Sequence, residues 1–136
     1  MKIIISENIE KPNKLLENLS LKGNIGAVLA FIGIVREFSE EGDKVVKLFY
    51  EAHPTLAEKT IEKIVEDAVK KYGLKDVIVE HKIGEAKVGE TVFVVIVASK
   101  HREEGYRGLI EIVDRIKREA PIWKKEYTVS KSYWKS

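Results

Sequence analysis

The chain opens on a short apolar run, Met1–Ser6, that predicts a strand, and continues into a predicted helix over Pro12–Leu19 with Leu15, Leu16 and Leu19 on one face. After Gly23 and Gly26, residues Ala27–Val35 are almost wholly apolar. A run this short and this β-branched predicts a central strand rather than a buried helix. Lys44–Ala52 predicts another strand, entered from a turn at Glu41-Gly42-Asp43. The period then changes: Ala57, Ile61, Ile64, Val65, Ala68 and Tyr72 recur at helical spacing, between Pro54 at the start and Gly73 at the stop. Val77–Ile83 and Thr91–Ser99 predict neighbouring strands, with Gly84 and Gly89 bracketing their link. Tyr106, Leu109, Ile110, Val113 and Ile116 line one face of a helix that ends near Ala120, because Pro121 restricts the residue before it; Ile122–Thr128 is a late strand. The order βαββαββαβ has no repeat and no long linker. Adjacent strands predict an α+β domain with an antiparallel or mixed sheet, not a doubly wound one.

At 136 residues the chain has the size of one domain, which buries about 68% of its unfolded surface without help from disulfides. Cysteine is absent, so thiolate metal sites are excluded, and sulfur or acyl chemistry must use another side chain or an imported group. Glutamine is also absent and Lys and Glu dominate the polar positions, a composition of thermophilic type. The net charge of +2 is too small to argue for nucleic-acid binding in bulk. It is unevenly placed: residues 100–136 hold ten basic and six acidic side chains, a local +4 that leaves −2 for the rest. No apolar run approaches the roughly 18 residues that span a bilayer, and Met1–Ile5 is too short for a secretory core, which predicts a cytoplasmic protein without membrane association. The acceptor tripeptide Asn18-Leu19-Ser20 then has no use.

Candidate chemistry lies at four places. Ser99-Lys100-His101-Arg102 falls where a strand gives way to a helix; with Ser99 as N-cap, His101, Arg102 and free backbone N–H groups would converge on a phosphate or carboxylate. Glu103 and Glu104 support a plainer reading, acids that complement the helix dipole. Arg36 closes the run Phe31-Ile32-Gly33-Ile34-Val35, as a binding group or a solvated strand end, and Gly33 permits a bulge. Lys117 sits at the edge of an apolar helix face, and Lys124 follows the rigid Pro121-Ile122-Trp123, whose Trp123 is expected in the core. Lysines near apolar walls and near each other lose proton affinity and become bases or nucleophiles; the alternatives are a snorkelling Lys117 and a Lys124 decorating an edge strand. His53, His81 and His101 are isolated, without metal-ligand spacing, and Gly23–Gly33 has no nucleotide-binding fingerprint, so no resident metal or cofactor is expected.

Six segments, in order and at the right separation, resemble the family of large catalytic subunits of molybdopterin synthase. They are Phe31–Arg36, Leu48-Phe49-Tyr50-Glu51-Ala52, His81-Lys82-Ile83-Gly84, Val88-Gly89-Glu90, Ser99–Arg102 and Pro121–Glu126. The resemblance implies an α/β-hammerhead fold with an additional small antiparallel sheet. It implies a homodimer within a heterotetramer, flanked by small ubiquitin-like sulfur carrier subunits. Each carrier delivers sulfur as a thiocarboxylate on its C-terminal Gly-Gly tail, and two sulfurs convert cyclic pyranopterin monophosphate into the dithiolene of molybdopterin. By matching position, Lys117 and Lys124 are the implied catalytic lysines; Ile34, Val35, Arg36, His101, Arg102, Lys125 and Glu126 join them in binding the substrate. Lys82 stands where the family often has Arg, Lys100 where a small residue is common, and Gly105-Tyr106 where Ala-Phe is usual. The competing reading is a noncatalytic basic module binding nucleic acid or an anionic metabolite, which accounts for the +4 segment but not for the ordered motifs.

Overall fold

The structure, a computed structural model, describes residues 1–17, 19, 21 and 23–135; Asn18 and Ser20 of the acceptor tripeptide lie outside the described residues. All nine predicted elements form: β1 (Lys2–Ser6), α1 (Pro12–Glu17), β2 (Ala27–Ile34), β3 (Val45–Ala52), α2 (Pro54–Tyr72), β4 (Asp76–Lys82), β6 (Thr91–Ser99), α3 (Arg102–Glu119) and β7 (Ile122–Thr128). Two short strands add to them, β5 (Gly84–Lys87) and β8 (Ser132–Lys135). Neither is long or patterned enough to announce itself; each is a strand because a neighbour supplies its hydrogen bonds, β3 for β5 and β7 for β8. The helix α1 stops at Glu17, short of the expected Leu19; of the three leucines expected on one face, Leu15 and Leu19 are buried and Leu16 is exposed.

The strands form two four-stranded sheets, β1-β4-β6-β2 and β5-β3-β7-β8. In the first, β1 runs parallel to β4 while the other pairs are antiparallel; the second is wholly antiparallel. This is the α+β arrangement with an added small antiparallel sheet that the pattern and the resemblance imply. Helices α2 and α3 pack on each other and on one face of the first sheet, where α2 buries Ala57, Ile61, Ile64, Val65 and Ala68. The main core continues from there to Val45, Leu48, Tyr50 and Ala86 of the second sheet. A smaller core, Ile78, Val94 and Ile96 beneath Leu15 and Leu19, fills the opposite face. There Glu80, fully buried, accepts a 2.7 Å hydrogen bond from the Glu10 backbone N–H, and the ammonium of Lys82 donates to the Glu7 carbonyl, so β4 pins the segment that leads into α1. No helix among the described residues is long and apolar enough to cross a membrane.

Four further expectations are corrected. The apolar strand β2 is an edge strand, not a central one; Val28, Ile32 and Ile34 on its outer face are exposed. Trp123 is 51% exposed, because β7 alternates and turns it away from the core. On α3 only Leu109, Val113 and Ile116 of the expected stripe are buried, with Ile112 beside them; Tyr106 and Ile110 face outward. Ser99 does not cap α3. Its hydroxyl donates to the His101 carbonyl at 2.6 Å, His101 occupies the N-cap position, and Glu104 accepts from the His101 backbone N–H.

Candidate active site

A cleft of about 610 Å³ opens where the C-terminal end of α3 meets the seam between the two sheets. From the first sheet comes β2, whose register against β6 shifts between Gly33 and Ile34. This is the bulge Gly33 permits, and a Cβ there would lie 3.3 Å from Phe93 Cβ. Beyond it Val35 turns into the core, its N–H donating to the Glu90 carbonyl at 3.0 Å, while Ile34 and Arg36 reach the cleft. From the second sheet, β7 sends Lys124 inward opposite Tyr50 of β3, and β8 sends Lys135. From the last turn of α3 comes Lys117, its ammonium 5.4 Å above the Phe31 ring. His81 of β4 lines the interior.

Four cationic side chains therefore face one cavity with apolar walls. Arg36 has a partial counterion in Glu40 at 3.9 Å, and Lys135 is held by buried Glu126 at 3.7 Å. Burial, then the neighbouring charge of Lys135, keeps Lys124 below the ordinary lysine range; Lys117 and Arg36 act in the same direction and Glu126 opposes them. Burial pushes the Tyr50 hydroxyl up to about 12. It pushes the His81 imidazole down to about 4, with Lys124 and Lys117 adding to the effect. By charge such a cavity can hold an anion, and Lys124 releases its proton more readily than a free lysine.

The MoaE protein family model matches residues 5–119, from β1 through α3. The chain belongs to the MoaE family. Among its relatives, the molybdopterin synthase catalytic subunit of Pyrococcus abyssi is 37% identical over 127 residues, covering 93% of this chain and 82% of the relative. That of Pasteurella multocida is 34% identical over 134 residues, covering 98% and 89%. The crystal structure of molybdopterin synthase from Staphylococcus aureus matches with a TM-score of 0.86 at 32% identity, covering 99% of this chain and 96% of that one. The MoaE-family chain is thus the catalytic subunit of a sulfurtransferase of molybdenum cofactor biosynthesis, forming the dithiolene of molybdopterin.

Of the residues expected from the sequence, this MoaE-family fold brings Ile34, Arg36, Lys117 and Lys124 together. Val35 is core. Lys125 points to the opposite face of β7, its ammonium 5.2 Å from the Tyr127 ring centroid and 5.7 Å from that of Trp134. Glu126 stands behind the cleft, accepting from the Tyr133 hydroxyl and holding Lys135. His101 and Arg102 lie at the far end of α3, beside Gly26 and Lys100, with about 22 Å of helix between Arg102 and Lys117. Of the C-terminal basic residues, Lys117, Lys124 and Lys135 line this cleft, while Arg115 is engaged by Asp67 at 3.0 Å and by Glu119 at 2.7 Å; the family assignment does not favour a noncatalytic nucleic-acid module. Sequence reasoning gave no role to Phe31, Tyr50, His81 or Lys135. For His81 a signal existed, a histidine inside the apolar strand Val77-Ile78-Val79; Lys135 lies on a strand with none.

Proposed function

We propose that this cleft is where the thiocarboxylate tail of a small ubiquitin-like carrier meets cyclic pyranopterin monophosphate in the cytoplasm, with Lys117 and Lys124 as the catalytic pair. The observation that carries this reading is the convergence of Arg36, Lys117, Lys124 and Lys135 on one apolar-walled cavity. Arg36 presents a planar fork to phosphate oxygens. The carrier's sulfur attacks the pterin as the cyclic phosphate opens, and Lys124, its proton loosened by burial, protonates the departing oxygen. Water then cleaves the acyl–sulfur bond, leaving the sulfur on the pterin and a carboxylate on the carrier. Lys117, exposed at the mouth, stabilises the oxyanion that develops on the carrier's terminal carbonyl. A relative of the same fold was solved in Helicobacter pylori as a complex of subunits 1 and 2 of molybdopterin-converting factor, which supports a small-subunit partner.

The proposal includes a homodimer. Residues separated by about 22 Å of helix serve one phosphate only when two copies bring them together, so His101 and Arg102 of one copy face Arg36 and Lys117 of the other. The free edge of β2 supports this, since an unpaired apolar edge strand is a template for pairing. Antiparallel pairing of two β2 strands sets Ala27, which neighbours Ser99, beside Ile34 of the second copy. In the decisive experiment the protein is mixed with thiocarboxylated carrier and cyclic pterin, and dithiolene product is measured by mass spectrometry. Lys117→Ala is expected to abolish product while carrier binding persists; normal turnover by that variant defeats the assignment.

A further inference from the structure

The imidazole of His81 is buried in the cleft wall between rings from both sheets. Its centroid lies 5.0 Å from that of Tyr50, at 75°, and 5.0 Å from that of Phe93, at 35°. Nδ1 is 2.8 Å from the Lys82 carbonyl oxygen. A carbonyl only accepts, so Nδ1 carries the hydrogen and Nε2 of the neutral ring keeps a lone pair. Among the described residues nothing donates to that lone pair. It is not sealed in either, because the enclosed side-chain polar atom without a partner among the described residues is Glu80 Oε2, on the other face of the sheet. His81 lines the cleft, so Nε2 opens into it.

The surrounding chemistry gives this lone pair a use. Arg36, Lys117, Lys124 and Lys135 only donate, and they satisfy the anionic groups of the reactants. The reactants also carry N–H groups, which lose water on entering and need acceptors. The Glu40 carboxylate is 76% exposed at the rim, so the side-chain acceptors within the cleft are His81 and the Tyr50 hydroxyl. Burial keeps the ring uncharged at neutral pH, its pKa pushed down to about 4, with the charges of Lys124 and Lys117 adding to the effect.

We propose that His81 Nε2 is a substrate-binding acceptor that takes a hydrogen bond from a reactant N–H, from either the pterin ring or an amide of the carrier's glycine tail. The inference rests on the sulfur-transfer reading of the cleft. It is tested with the full-length chain and two variants. His81→Phe keeps a ring between Tyr50 and Phe93 but has no acceptor; His81→Gln carries an acceptor oxygen at about the reach of Nε2. Affinities for cyclic pterin and for the carboxylate form of the carrier are measured separately by calorimetry, with melting curves as the fold control. The expected result is a loss of about tenfold in His81→Phe for one of the two ligands, restored by His81→Gln to within about threefold, with KM raised and kcat nearly unchanged. Loss confined to the pterin places the donor on its ring; loss confined to the carrier places it on the tail amide. Unchanged affinity for both ligands, or an equal loss in both variants, overturns the inference. An unaltered chain that binds neither ligand overturns the cleft assignment and this inference with it.

Discussion

Lys117 and Lys124 are close in sequence and carry the same group, yet their surroundings differ. Lys117 is exposed, its ammonium over the face of the Phe31 ring, whereas Lys124 is partly buried near Lys135, Lys117 and Arg36. An acid with lowered proton affinity loses its proton earlier as pH rises. The rate of dithiolene formation should therefore fall on the alkaline side below the ordinary lysine pKa of 10.5, and product formation followed across that range checks it. A profile flat to that value removes Lys124 as the acid. His81 makes a different contribution, to stability. Its pKa is about 4 in the folded state against 6.5 for an ordinary histidine, so the unfolded chain binds the extra proton between these values. Stability is complete above pH 6.5 and falls as pH drops toward 4. Denaturant unfolding at pH 7 and pH 5 should show this loss in the unaltered protein, and a flatter dependence in His81→Phe.

At the scale of the element, α2 was legible residue by residue, because its buried positions follow one helical stripe and nothing competes for them. The strand β2 was legible as a strand but not as an edge. Apolar residues at both parities fit a strand buried on two faces, and only the sheet order reveals that its outer side is uncovered. The start of α3 reverses a simple propensity argument. Glycine in a helix costs about 1 kcal/mol relative to alanine, but a Cβ on Gly105 would lie 2.5 Å from Ser99 Oγ and run into the end of Leu29. Overpacking of that kind costs about 1 to 3 kcal/mol. Gly105→Ala should accordingly lower the melting temperature despite its better helix propensity, and a thermal melt that rises instead shows that Leu29 and Ser99 yield without cost.

At the scale of the whole molecule, the residues proposed to bind the anionic substrate sit at two ends of α3 in one chain. If two copies complete each site, variants damaged at opposite ends should complement. Lys117→Ala and Arg102→Ala are each expected to be inactive as pure samples. When co-refolded they should regain about a quarter of full activity, since about half of the dimers are mixed and each of those holds one intact site. No recovery in a sample shown to exchange subunits excludes the shared site. The sequence by itself determined the helices, most strands, the α+β class and the family, because these follow from local periodicity and from short ordered motifs. It also marked Arg36, Lys117 and Lys124 as candidates. Only the tertiary structure decided which of them meet: past the bulge at Gly33 the chain turns Val35 into the core and Arg36 to the cleft, strand alternation parts Lys124 from Lys125, and the length of one helix removes His101 and Arg102 to its far end. Local sequence carries period and composition; the meeting of side chains depends on register and packing between segments far apart in the chain.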